Sequence, residues 1–156
     1  MNREMDEFVA YHMGLVTHFI HNTHSHKLSD YDVTRAQAKA LYLLSRFGDL
    51  TQSELQKRLY IKASTMNGIV ESMLKKDLII RSLSQTDRRT KVISLTASGA
   101  ELEEKLWLEI INLEKDLMEG FSKEEQSLII SWLKRMKTNL EEKSLKKSKE
   151  KEGETE

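Results

Sequence analysis

Leu83–Leu95 reads LSQTDRRTKVISL, two short apolar runs around a polar tip of Asp87, Arg88 and Arg89. The runs are rich in β-branched residues, so Ile79 to Leu83 and Lys91 to Leu95 are expected as the strands of a hairpin. Just upstream, Met66, Ile69, Val70, Met73 and Leu74 recur at helical spacing, which turns one face of that segment inward. The opposite face carries Ser64, Thr65, Asn67, Gly68, Glu71 and Ser72, small and polar enough to approach a base edge closely. A helix fit for a DNA major groove, followed by a hairpin with arginine at its tip, is the order of a winged helix-turn-helix. Arginine suits that tip because a narrow minor groove concentrates negative potential.

Working outward, Thr51 with Glu54 forms a capping-box pattern that starts a short helix bearing Leu55 and Leu59. Thr34 with Gln37 forms another, opening a helix whose apolar face is Ala40, Leu41, Leu44 and Phe47 and which Gly48 ends. From about Asp6 to Lys27, Phe8, Val9, Leu15, Val16, Phe19 and Ile20 keep helical spacing. Beyond the hairpin, Thr96 caps a long helix with Leu102, Leu106, Ile110, Leu113 and Leu117, which Gly120 interrupts. Ser122 with Glu125 opens a last helix bearing Leu128, Ile129, Trp132, Leu133, Met136 and Leu140. From about Glu141 the chain is charged and almost without apolar residues, which predicts a disordered tail.

The expected fold is therefore mainly α: a winged helix-turn-helix with N- and C-terminal helices that form a homodimerisation domain. The terminal helices carry apolar stripes with no partner inside the winged unit, and pairing with a second copy would bury them. The division is an N-terminal dimerisation helix over 1–30, the winged domain over 31–96, C-terminal dimerisation helices over 97–142 and the charged tail over 143–156.

The chain of 156 residues has 25 basic and 25 acidic side chains, hence no net charge, but their distribution is uneven. From Glu54 to Lys91 nine cations face four anions, leaving +5, while the acidic excess gathers in the helices that follow. A basic centre between acidic arms suits a nucleic-acid reader held on a scaffold. There is no cysteine, which excludes disulfides, thiolate metal sites and thiol redox chemistry. There is no proline to break the long helices. No stretch approaches the roughly 18 apolar residues of a membrane span. The N-terminus MNREMDEF lacks an apolar signal core, so a cytoplasmic location is expected.

With these motifs in this order the chain resembles the MarR family of transcriptional regulators, from the N-terminal helix to about Leu140. The sharpest segments are LTQSELQKRL (Leu50 to Leu59), IKASTMNGIVESMLKKDLIIR (Ile61 to Arg81) and TDRRTKVISLTASGAEL (Thr86 to Leu102). The D-x-R hairpin followed by an LT-x-x-G helix start carries most of the specificity. The resemblance implies a homodimeric repressor of palindromic operators in double-stranded DNA, often released by a small aromatic or lipophilic ligand, with no resident cofactor. It implies that Arg89 enters the minor groove and that Asp87 orients the wing through a charge pair, with Arg88 beside them. It assigns Ser64, Thr65 and Asn67 to base and phosphate contacts, and Gln52 and Ser53 to phosphate. Four positions depart from the family pattern. Tyr60 stands where a small residue is usual, Lys62 where a capping Ser is usual, Gly68 where Arg is common, and Asp77 where Gly ends the helix. Lys62 exchanges a cap for a cation aimed at phosphate.

The same resemblance suggests a ligand crevice lined by Met13, Phe19, Tyr42 and Trp107, with Arg46 to receive an anionic group. All five histidines lie between His12 and His26, and His18, His21 and His24 share helix faces. A metal-responsive regulator using them is one alternative reading; a winged dimer that contacts proteins without reading DNA is another. No nucleophile-and-base set or glycine-rich phosphate loop is present, so the chain is not expected to be an enzyme.

Overall fold

A computed structural model describes residues 4–87 and 89–153, with side chains described to Ser144. The order is a 3₁₀ turn at Met5–Glu7, then α1 Val9–Asp30, α2 Arg35–Phe47, α3 Gln52–Leu59, α4 Ala63–Lys75, β1 Ile79–Leu83, β2 Lys91–Leu95, α5 Ala97–Leu117 and α6 Lys123–Gly153. No described helix is long and apolar enough to cross a membrane. The chain divides into two compact units, Met1–Glu114 and Lys115–Glu156.

The first unit is built on the capping signals. The Thr34 hydroxyl accepts from the Gln37 amide at 3.2 Å and the Gln37 side chain accepts from the Thr34 amide at 2.9 Å. Gly48 closes α2 at φ 75°, a conformation that costs glycine nothing. Thr51 and Glu54 repeat the reciprocal arrangement at the head of α3. Each cap is worth about 1 kcal/mol, and together they fix where helices of only 13 and 8 residues begin.

The core of this unit gathers Leu28 from α1, Leu41 from α2, Leu55 from α3, Met66, Val70 and Met73 from α4 and Ile93 from β2, all fully buried. Burial of each such side chain stabilises by roughly 1.5–3 kcal/mol. The inward face of α4 is the one its spacing predicted. Phe47 is the exception on α2: it is half exposed, and the Arg58 guanidinium lies 4.0 Å from its ring centroid. As the last residue of α2 it lies past the end of the buried stripe, and the cation covers the ring instead.

β1 and β2 pair antiparallel, from Ile79 opposite Leu95 to Leu83 opposite Lys91. Leu50 adds a one-residue third rung: its amide donates to the Ile93 carbonyl at 3.1 Å and its carbonyl accepts from the Ile93 amide at 2.7 Å. The hairpin is thereby tied to the loop that starts α3. At its other end, the Thr96 hydroxyl donates to the Asp77 carbonyl at 2.6 Å and accepts from the Gly99 amide at 2.9 Å. One threonine thus caps α5 and holds the turn between α4 and β1.

In the second unit α6 opens on the expected box, Ser122 accepting from the Glu125 amide at 3.2 Å. The helix runs on to Gly153, so a disordered tail from 143 is not what the described residues form. The Glu- and Lys-rich sequence favours helix, and pairs such as Lys137 with Glu141 at 3.5 Å support it one turn apart.

Candidate nucleic-acid interface

α3 and α4 are joined by a tight turn at Tyr60–Lys62. Tyr60 adopts the left-handed conformation, φ 56° and ψ 41°, which is why a small residue is the family's usual choice. Its amide bonds back to the Gln56 and Lys57 carbonyls, ending α3. Lys62 is the N-cap residue of α4 and gives no side-chain cap, as the missing hydroxyl implied. Its ammonium is exposed at the head of the helix, where the helix dipole favours anions.

Met66, Val70 and Met73 lock α4 into the core and turn Ser64, Thr65, Asn67 and Gly68 to solvent. Ser72, read from the sequence as part of that outer face, is instead half-buried and accepts from the Gln37 side chain at 3.0 Å. Ser53 is exposed at the head of α3. Gln52, beside it, does not point to solvent alone: its Nε2 donates to Asn67 Oδ1, and its Oε1 accepts from Arg81 Nη2 at 3.4 Å. Arg81 also pairs with Glu71 at 2.9 Å. This polar network across α3, α4 and β1 was not foreseen, because its members lie 15 and 29 residues apart in the chain.

At the wing tip, Asp87 organises the turn through two hydrogen bonds. Its Oδ2 accepts from the Thr90 hydroxyl at 2.7 Å and its Oδ1 from the Arg89 amide at 3.0 Å. These two donors hold its carboxyl below the usual carboxylate range. Arg89 is exposed, and its guanidinium has no partner among the described residues. Arg88 lies outside the described residues. Not every cation counted in the basic segment is available to phosphate: Arg58 covers Phe47, Arg81 pairs with Glu71, and Lys76 pairs with Asp32 at 3.0 Å. Lys57, Lys62, Lys75 and Lys91 are exposed and have no ion-pair partner among the described residues.

The matching family model is that of the MarR family, over residues 31–90. An uncharacterised helix-turn-helix transcriptional regulator of Bacillus subtilis, YwaE, is 28% identical over 113 residues, 72% of this chain. The match spans just under two thirds, 66%, of that relative. The structure of Staphylococcus aureus MepR bound to DNA superposes with a TM-score of 0.77 at 27% identity, covering 88% of this chain and 99% of MepR.

Residues 31–90 thus match the MarR family of transcriptional regulators, and the fold is that of its DNA-binding winged-helix members. The MarR fold is also that of Bordetella bronchiseptica BpsR, whose DNA binding is regulated by 6-hydroxynicotinic acid. BpsR has a TM-score of 0.77 over 88% of this chain and 98% of its own, at 21% identity. The family is one of regulators, not enzymes.

Other residues singled out from the sequence gather only in part. Tyr42 and Trp107 stack at 5.6 Å with a 5° tilt, and Arg46 donates to the Tyr42 hydroxyl at 3.3 Å. Met13 and Phe19 lie on an exposed face of α1, 39% and 66% accessible. None of the five lines the cavity of about 500 Å³ at the end of α1, which is bounded by Ser25, Leu28, Thr34, Arg35, Ser72 and Lys76. Asp32, in left-handed backbone at φ 53°, is another residue of its lining. His18 bonds to Asn22 at 3.0 Å, and His24 sits half-buried near Arg35 and Glu109. Among the described residues no three His, Asp or Glu side chains assemble into a metal-binding set.

Proposed function

We propose that this chain is a sequence-specific repressor of the MarR family that binds palindromic operators as a homodimer. The observation that carries the proposal is α4. Met66, Val70 and Met73 anchor it, so Ser64, Thr65 and Asn67 stand outward as a unit, and Asp87 braces the hairpin tip that carries Arg89. Ser64, Thr65 and Asn67 contact bases and nearby phosphates in the major groove. Gln52, Ser53 and Lys62 contact phosphate, and Arg89, with Arg88, reaches the minor groove.

Dimerisation is supported by exposed apolar residues in each unit. Phe8, Val9 and Phe19 on α1 belong to the first, and Leu128, Trp132 and Leu140 on α6 belong to the second. Such side chains are costly to leave in water and mark interaction surfaces. In the proposed dimer 1–30 and 97–142 form the interface, and the two copies of 31–96 read half-sites roughly 10–11 base pairs apart.

Release by a small aromatic or lipophilic ligand is the second part of the proposal. The Tyr42–Trp107 stack offers it an aromatic wall, and Arg46 a cation at one end. A ligand that favours a different separation of the two copies of α4 lowers operator affinity, because one spacing fits both half-sites. Sedimentation of the protein alone and with its operator duplex tests the assembly. Two chains per duplex are expected; a single chain bound per operator overturns the dimeric reading.

A further inference from the structure

We propose that Arg81 determines which base Asn67 reads, by fixing the direction of a hydrogen-bond chain. This rests on α4 as the recognition helix. A guanidinium donates and never accepts. Arg81 Nη1 is held by Glu71 Oε1 at 2.9 Å, and Nη2 lies 3.4 Å from Gln52 Oε1. An amide side chain can enter a hydrogen-bond network either way round, but the arginine removes that freedom. Gln52 must turn its oxygen to Arg81, so its Nε2 faces Asn67 and donates to Oδ1. Asn67 in turn must direct its oxygen towards Gln52. Its Nδ2 is the free end of the amide, with no partner among the described residues, on an exposed position of α4.

The consequence is chemical. An asparagine that reads adenine uses both ends, accepting from N6 and donating to N7. Asn67 has its acceptor committed and presents two N–H donors. Those donors match the guanine edge, where N7 and O6 both accept. Arg81 is thus a positioning residue for specificity: it acts through Gln52, and Glu71 keeps it in place.

Binding-site selection from a random duplex library tests this with wild type, Asn67→Ala, Arg81→Met and Arg81→Lys. Binding to mixed-sequence DNA and circular dichroism are measured alongside. Wild type is expected to select guanine at the position whose preference Asn67→Ala abolishes, with adenine there weaker by about tenfold. Arg81→Met cannot orient Gln52, so the guanine preference at that one position collapses while the rest of the motif persists. Arg81→Lys, still donor-only, restores it. Adenine selected by wild type at that position overturns the inference and leaves the DNA-reading account intact. So does an Arg81→Met protein that loses affinity uniformly while keeping its guanine preference. No enriched motif from wild type overturns both.

Discussion

Gly99 packs so closely on Leu78 that a β-carbon at 99 would lie 2.0 Å from the Leu78 carbonyl oxygen. Neither partner can give way cheaply. Leu78 is backbone at the start of the wing, its oxygen already accepts the Thr96 amide at 3.2 Å, and Gly99 opens α5 on the Thr96 cap. This is the physical content of the glycine in LT-x-x-G: the helix must touch the hairpin root without a side chain. Gly99→Ala is expected to destabilise the fold by about 1–3 kcal/mol, although alanine is the better helix former. Thermal unfolding checks it, and an unchanged midpoint would remove the close contact from the account.

Three described non-glycine residues adopt left-handed backbone, and two of them, Tyr60 at φ 56° and Asp77 at φ 54°, end helices. The conformation costs roughly 1–2 kcal/mol each, against about 0.5–1 kcal/mol of extra chain entropy that glycine would lose on folding. The balance favours glycine, so Asp77→Gly should raise stability by up to ~1 kcal/mol. Its carbonyl contact with Thr96 does not involve the side chain and is kept. Tyr60→Gly should gain less, because the tyrosine ring also lies 6.0 Å from the Lys39 ammonium. A denaturant titration that finds Asp77→Gly less stable would contradict this.

Much of this architecture is legible in the sequence because it is local. The caps at Thr34, Thr51 and Ser122, the inward stripe of α4 and both strands follow from spacing within one or two turns. What escapes is what distance in the chain conceals. Leu50 pairs with Ile93 through backbone alone and leaves no side-chain signature. Gln52, Asn67, Glu71 and Arg81 look like four independent surface residues until α3, α4 and β1 pack. At the wing the sequence offers Asp87 and two arginines but not the bonds from the Thr90 hydroxyl and the Arg89 amide that brace the turn. The ligand crevice is least legible, since aromatic residues on α1 face the same way whether they line a pocket or a partner.

Half-buried His24 has its Nε2 enclosed without a hydrogen-bond partner among the described residues. Burial first, then the nearby Arg35 and Lys27 cations, lower its pKa, and Glu109 opposes them more weakly than Arg35 acts. The folded protein therefore binds this proton less readily than the unfolded chain does. The neutral imidazole's contribution is complete above the ordinary histidine value of about 6.5 and is lost as pH falls through that value to the folded one. Stability should decline as pH falls below the ordinary histidine value, and His24→Gln should show a shallower decline. Parallel pH slopes for the two proteins would exclude the histidine as the cause.

Arg89→Ala removes the exposed guanidinium but leaves the Arg89 amide that Asp87 accepts. Operator affinity is expected to fall by about 1–3 kcal/mol with the melting temperature unchanged. Asp87→Ala should weaken binding too, by a different route, through loss of the Thr90 and Arg89 hydrogen bonds that brace the tip. Amide resonances of residues 89 and 90 should shift and broaden in that variant. Full operator affinity in Arg89→Ala would take the wing out of recognition.

The most direct test is fluorescence anisotropy on the DNA immediately upstream of the gene for this chain, with mixed-sequence competitor at ~150 mM salt. Binding that resists the competitor, and weakens steeply as salt is raised, is the predicted result for a regulator that reads bases and neutralises phosphates. Failure to bind that DNA or any mixed-sequence duplex, even at low salt, would contradict the assignment of α4 and the wing to nucleic acid.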